Sequence, residues 1–90
     1  MRRYRASVEL DVPLELESGV FAETLTVWRT PHHLVLDFGA PTDGEHSVAT
    51  ARVRVPATAA LDVLGQLGEG IREYELQYGE IHRPRPRGPT

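Results

Sequence analysis

The sequence predicts an α+β fold in which an antiparallel four-stranded meander precedes one long helix, in the order β-β-β-β-α, with the helix packed on one face of the sheet. Two observations lead to this prediction. Apolar and polar residues alternate with a period of two over residues 8–17, which is typical of a half-buried strand. A helical spacing of apolar residues occurs in one long stretch, residues 55–79.

The first two predicted strands cover residues 8–17 and 20–29. The first carries acidic residues on its outer face and contains Pro13, which cannot donate to a strand ladder, so we expect it at an edge of the sheet. The second is rich in β-branched and aromatic residues. Its alternation places Leu25 and Val27 towards the core and Trp28 on the opposite face.

A turn at Pro31 connects the second predicted strand to the third, residues 34–38. The even-numbered apolar residues of the third strand are expected to face the core, which leaves Val35 and Asp37 pointing outward. Residues 39–45 predict a loop because turn-forming residues dominate the segment. The fourth strand covers residues 47–55, and Asp37 is expected to pair across the outer face with Arg52 or Arg54.

The predicted helix is about 33 Å long for its roughly 22 residues. Pro56 suits its first turn and Gly79 suits the position that closes it. Three glycines in its middle cost about 0.8–1 kcal/mol each relative to Ala, and they indicate either a bent helix or a close approach by another backbone. The apolar stripe consists of Ala60, Leu61, Leu64, Leu67, Ile71, Tyr74 and Tyr78.

Charge is distributed unevenly along the 90 residues, whose net charge is −3. Residues 1–5 and residues 83–90 hold three Arg each, whereas residues 6–82 hold four Arg and all thirteen acids, a net charge of −9. We interpret these segments as a basic N-terminal arm, a Pro- and Arg-rich flexible tail, and a single α+β domain between them. The two basic ends are either solvated termini or arms that dock on the acidic body or on an anionic partner.

Composition argues against several classes of protein. There is no Cys, so neither a disulfide framework nor a thiolate site is predicted. No apolar run approaches the ~20 residues of a membrane span, and the basic first residues lack the apolar region of a secretory signal. We expect a cytoplasmic protein that does not associate with membranes.

No catalytic or metal site is predicted. The acidic residues mostly lie where solvated faces are expected, the Ser residues lack a nucleophile-elbow context, and no Gly-rich phosphate loop follows a strand. The four His match no zinc or EF-hand spacing, although His46 and nearby acids offer an alternative set of ligands. We expect a protein that is not an enzyme and that holds no cofactor and no metal.

The second face of the predicted sheet is expected to be open, since one helix covers only one face. An exposed Trp in mixed surroundings indicates a protein contact, and oligomerisation supplies buried area that a small chain lacks. We therefore expect a homodimer or a higher oligomer. The alternative is an ordinary polar outer face on which a loop partly covers the Trp. The candidate contact residues on this face are Trp28, Val35, Val48, Arg52 and Arg54.

Six short motifs between residues 20 and 81 form a recognisable series. They are Phe21-Ala22-Glu23, Thr30-Pro31-His32, Leu36-Asp37-Phe38, Arg52-Val53, Tyr74-Glu75 and Tyr78-Gly79-Glu80-Ile81. The series resembles a family of short, uncharacterised bacterial, archaeal and phage proteins described as a domain of unknown function. Glu23 departs from the Asn that the family tends to carry there. The resemblance implies the same order of elements, and it implies no activity, substrate or cofactor.

These observations together predict a small non-enzymatic protein-interaction module that acts as a homo-oligomer. The alternative is a nucleic-acid-associated protein that uses its Arg-rich terminal arms. The acidic body disfavours that alternative because affinity for nucleic acids comes largely from neutralising phosphates.

Overall fold

A computed structural model describes residues 2–5 and 9–83 of the chain. The chain divides into two compact units, Met1–Arg54 and Val55–Thr90. It is an α+β protein, as predicted, but its main sheet has three antiparallel strands in place of the predicted four. The elements are β1 (Arg2–Arg5), β2 (Glu9–Val12), a short 3₁₀ helix (Leu14–Leu16), β3 (Thr24–Arg29), β4 (His33–Asp43), β5 (His46–Pro56) and α1 (Ala57–Tyr78).

The first predicted strand is wrong in its length and in its partner. Only residues 9–12 form a strand, and β2 pairs antiparallel with β1 in a separate two-stranded sheet. After Pro13 the chain turns, and the Leu16 N–H donates to the Pro13 carbonyl oxygen at 3.0 Å. Pro13 removes a ladder donor, and the alternation of Leu and Glu that follows it fits a turn as well as a strand.

The predicted N-terminal arm contains β1. The register of the β1–β2 pair places Arg3 opposite Asp11 and Arg5 opposite Glu9, so this basic segment lies alongside an acidic strand. Of the predicted C-terminal tail, only Arg83 lies within the described residues, and residues 84–90 lie outside them.

The main sheet is a meander in which β4 is the central strand, between β3 and β5. The β3–β4 register places Val27 opposite Leu36 on one face and Trp28 opposite Val35 on the other, which confirms the predicted division of these residues between two faces. The predicted turn at residues 30–33 is also confirmed, since the Thr30 N–H donates to the His33 carbonyl oxygen at 2.9 Å.

The predicted loop at residues 39–45 is mostly strand. β4 continues to Asp43 and β5 begins at His46, so two residues connect them. Pro41 is tolerated because the register of β3 with β4 ends where Thr24 lies opposite Gly39, so that Pro41 lies beyond the pairing with β3. The turn-forming residues of this segment therefore lie in the outer end of a hairpin.

The core is small. Among the described residues, the buried apolar side chains are Val35 and Val55, which are 6% and 8% exposed. The prediction that Val35 points outward to solvent is wrong, because Val35 lies on the central strand with a neighbour on each side. On the other face, which was predicted to be the core face, Leu25 and Val27 are half-exposed.

The helix begins two residues later than predicted and ends where predicted. Pro56 is the N-cap of α1, and Gly79 follows its last residue with φ of 99°. None of the 22 residues of α1 is buried, and the large apolar residues of its predicted stripe are exposed, whereas Ala60 is half-buried. The packing of this helix on a sheet stays a prediction.

Candidate functional site

Three polar side chains converge on the Trp28 face of the main sheet. The Trp28 Nε1–H donates to Asp37 Oδ2 at 2.7 Å. Arg52 donates from Nε to Asp37 Oδ1 at 2.6 Å and from Nη2 to Asp37 Oδ2 at 2.7 Å. Asp37 therefore receives a bidentate guanidinium contact and an indole contact at once. This confirms the predicted pairing of Asp37 with Arg52.

The strand register explains why these residues meet. Asp37 lies opposite Thr26, and Trp28 is two residues further along β3, so the indole reaches Asp37 diagonally. Arg52 comes from β5, on the other side of the central strand. The interaction therefore ties all three strands together through side chains on one face.

The electrostatics of the network favour the charged form of Asp37. The hydrogen bonds from Arg52 have the largest effect in holding the pKa of Asp37 below its ordinary value. Desolvation acts in the opposite direction and raises this pKa. The Trp28 hydrogen bond and the positive charge of Arg52 lower it further. The same contact raises the pKa of Arg52. The Asp37 side chain is 13% exposed, whereas that of Arg52 is 61% exposed, so the guanidinium forms the accessible part of the pair.

A shallow depression of about 150 Å³ lies beside this network. Thr24, Thr26 and Trp28 line it on one side, and Val48 lines it on the other, with Gly39 between them. Small-molecule sites usually have about 300–1,000 Å³. This depression is therefore better suited to a side chain of another protein than to a metabolite.

The five predicted contact residues do not form one exposed surface. Trp28 and Val48 are each about half exposed, at 56% and 55%, and Arg54 is also exposed. Arg52 is accessible but is held by Asp37. Val35 is buried, so it supports this face from within and does not contribute accessible surface.

A second apolar surface lies on α1. Leu64, Leu67, Ile71, Tyr74 and Tyr78 lie along one side of the helix and are all exposed. The rings of Tyr74 and Tyr78 contact each other with centroids 5.0 Å apart. The sequence predicted this stripe as a core-facing surface, and that packing stays a prediction.

The end of α1 has a specific closure that the sequence motif did not reveal. The Gly79 N–H donates to the Glu75 carbonyl oxygen at 2.9 Å, and the Ile81 N–H donates to the Glu75 carboxylate Oε2 at 2.9 Å. Ile81 lines an apolar groove of about 420 Å³ together with Leu67, Ile71 and Tyr74. The Tyr-Glu-x-x-Tyr-Gly-x-Ile motif therefore ends the helix and returns an apolar side chain to its stripe.

The residues that were considered as metal ligands are dispersed in the described part of the chain. His46 Nδ1 lies 3.4 Å from Asp43 Oδ1 in an exposed pair at the β4–β5 turn. No group of three or more His, Asp or Glu side chains within residues 9–83 could hold a metal ion. Among the described helices, none is long and apolar enough to cross a membrane.

No family model matches the chain, and neither a curated protein nor a solved structure matches it.

Proposed function

We propose that this protein is a non-enzymatic protein-interaction module that acts as a homo-oligomer. The observation that supports this proposal is the imbalance between buried and exposed apolar residues. Within the described part of the chain, two apolar residues are buried, whereas nineteen large apolar side chains are exposed. A small domain that leaves so much apolar surface in water gains stability when another protein covers it.

The Trp28 face has the chemistry of a protein-binding surface. Trp and Arg are the residue types that most often dominate binding energies at protein interfaces. Asp37 holds both Trp28 and Arg52 in place, so their side chains lose little conformational freedom when a partner binds. Val48 adds an exposed apolar side chain on the opposite side of the depression.

Two measurements test the proposal. Sedimentation velocity over a concentration series should show association, and a strict monomer at tens of micromolar would contradict a homo-oligomer. Affinity capture with the wild type, Trp28→Ala and Phe21→Ala should identify partners that are lost only with Trp28→Ala. Phe21 is the control because it is an aromatic residue that is more exposed than Trp28, at 75% against 56%, and that lies outside the three strands of the sheet. Equal capture by all three proteins would place the contact elsewhere.

The nucleic-acid alternative has its own test. β1 pairs with an acidic strand, and two of its Arg lie opposite Asp11 and Glu9 in the register, which disfavours a free basic arm. Deletion of residues 1–5 and 83–90 removes β1 but none of the strands of the main sheet, so protein binding through the main sheet should stay intact. A gel shift at low salt that the full chain produces and the deletion variant loses would favour nucleic-acid binding instead.

A further inference from the structure

We propose that the apolar stripe of α1 is a dimer interface, in which α1 of a second copy of this chain packs antiparallel to it around a two-fold axis near Glu69. This inference rests on the proposed homo-oligomer and names its partner and its geometry. The occupant is a second copy of the same helix.

Six of the seven stripe residues, all except Leu61, have the spacing of a coiled-coil seam. Ala60, Leu64, Leu67, Ile71, Tyr74 and Tyr78 are separated by four, three, four, three and four residues, which is the heptad spacing of helices that pack side by side. A helix that covers a sheet usually has a wider apolar face. The five large members of this seam are 43–67% exposed.

The sizes of the seam residues favour an antiparallel pair. A two-fold axis near Glu69 places Ala60 opposite Tyr78 of the second copy, Leu64 opposite its Tyr74 and Leu67 opposite its Ile71. A smaller side chain then lies opposite a larger one in two of the three pairs, and the third joins two side chains of equal size, which favours close packing. A parallel pair in register would instead place Tyr against Tyr at one end and Ala against Ala at the other.

Two of the three glycines of α1 lie where this arrangement brings the two backbones closest. Gly68 and Gly70 flank the seam on its two sides, next to the two-fold axis. A Cβ added at either position would have nothing within 4 Å, so contacts within the protomer do not require a glycine there. Each glycine costs about 0.8–1 kcal/mol of helix stability relative to Ala, a cost that a close helix–helix contact can offset.

Charge and exposure also fit a second copy of the helix. Asp62, Glu69, Arg72 and Glu73 lie on the other sides of α1, so the seam itself carries no charge that the partner would bury. Leu61 and Val63 lie beside the seam and are 80% and 42% exposed, so a partner helix would cover a continuous apolar surface.

The first test compares one substitution on two faces of the same helix. Leu67→Glu places a charge in the seam, whereas Leu76→Glu makes the same change on the opposite face, where Leu76 is 82% exposed. Sedimentation equilibrium should show at least a tenfold weaker dimer for Leu67→Glu and an unchanged dimer for Leu76→Glu. Circular dichroism reports whether each variant is folded.

The second test establishes whether the two helices pack antiparallel or parallel. It does not depend on whether Leu67→Glu folds. The chain has no Cys, so single cysteines report specific contacts. A mixture of Ala60→Cys and Tyr78→Cys proteins should form a mixed disulfide on oxidation, because these positions face each other in the antiparallel pair. Ala60→Cys alone should form none, since its two copies would lie roughly 27 Å apart along the axis.

The possible outcomes separate the two proposals. A strictly monomeric wild type overturns both the homo-oligomer and this interface. A dimer that survives Leu67→Glu and gives no mixed disulfide leaves the homo-oligomer standing and overturns the α1 interface. A disulfide formed by Ala60→Cys alone overturns the antiparallel geometry. The mixed disulfide together with the loss of the dimer in folded Leu67→Glu supports the proposal.

Discussion

Trp28 and Asp37 are joined by a 2.7 Å hydrogen bond from the indole Nε1 to Oδ2, although they lie diagonal to each other across β3 and β4. The same carboxylate receives two hydrogen bonds from Arg52 on β5. Since Trp28 is the only tryptophan of the chain, its fluorescence reports directly on this junction of three strands. That property makes the candidate site open to simple spectroscopic tests.

The stabilising effect of Asp37 should depend on pH. Its pKa in the folded protein lies below its ordinary value, chiefly because Arg52 hydrogen-bonds its charged form. A carboxylate with a lowered folded pKa contributes stability that is complete above its unfolded pKa of ~3.9 and is lost as the pH falls through the folded value. The wild type should therefore be more stable than Asp37→Asn at neutral pH, and the difference should shrink in acid. Urea unfolding followed by Trp28 fluorescence measures the free energy of unfolding of both proteins at each pH. If the difference between the two free energies is the same at neutral and acidic pH, Asp37 does not have this role.

Trp28→Phe should raise the pKa of Asp37 towards its ordinary value. The substitution keeps an aromatic ring but removes the Nε1 donor, so one of the hydrogen bonds that favour the charged carboxylate is lost. The effect should be smaller than that of Arg52→Gln, because the Arg52 hydrogen bonds have the largest influence. Titration of Asp37 by NMR in the wild type, Trp28→Phe and Arg52→Gln gives the three pKa values of Asp37, which should rise in that order. A pKa of Asp37 that Trp28→Phe leaves unchanged would show that the indole hydrogen bond is not maintained in solution.

Gly39→Ala should destabilise the main sheet by about 1–3 kcal/mol, the usual cost of forcing extra atoms into a packed site. A Cβ at this position would lie 2.9 Å from Thr24 Oγ1 and 3.1 Å from the backbone oxygen of Val48. The hydroxyl can rotate away, but the backbone oxygen cannot, so Thr24→Ala should relieve only part of the loss. Gly44→Ala is the control, since a Cβ there has nothing within 4 Å. Denaturant unfolding at one fixed protein concentration compares the stabilities of the variants. Equal stabilities of Gly39→Ala and Gly44→Ala would show that the strands can move apart at Gly39 to make room for the added Cβ.

Much of the main sheet could be predicted from the sequence because its signals are local. The alternation of β3 and β4 assigns residues to faces, and the charge complementarity of Asp37 and Arg52 predicts their contact. The segment at residues 39–45 was predicted wrongly because turn-forming residues also occur at the outer end of a long hairpin. Pro41 is tolerated there only because the β3–β4 pairing ends at Gly39, and that is a property of the sheet and not of the segment.

Burial was less predictable than secondary structure. Val35 was assigned to an open face and is buried, because its exposure depends on which strand is central. The stripe of α1 was assigned to the core because apolar periodicity shows that a helix has an apolar side without showing what covers it. Six of its seven residues have the four–three spacing on which the proposed helix pair rests.

Gly79→Ala should destabilise the end of α1 by about 1–2 kcal/mol, because its φ of 99° lies in a region that residues with a Cβ rarely adopt. Gly65→Ala is an informative counterpart. Gly65 lies within α1 at a position with open space around an added Cβ, so this change should stabilise the helix by about 0.8–1 kcal/mol. Thermal unfolding of both variants at one protein concentration should move the midpoints in opposite directions. A loss of stability with Gly65→Ala would show that another helix contacts this position too.

Glu75→Ala should release the segment that follows α1. The Glu75 carboxylate accepts the Ile81 N–H at 2.9 Å, and this bond holds Ile81 beside the groove formed by Leu67, Ile71 and Tyr74. Glu75→Gln keeps an acceptor oxygen and should retain the contact in weaker form. Loss of the bond should cost about 0.5–1.5 kcal/mol and should speed hydrogen exchange of the Ile81 amide by up to about tenfold in Glu75→Ala. The Gly79 amide donates to the backbone oxygen of Glu75, so its exchange should change less and serves as the internal control. If both amides exchange faster by the same factor, the whole helix end is fraying and the carboxylate has no specific role in holding Ile81.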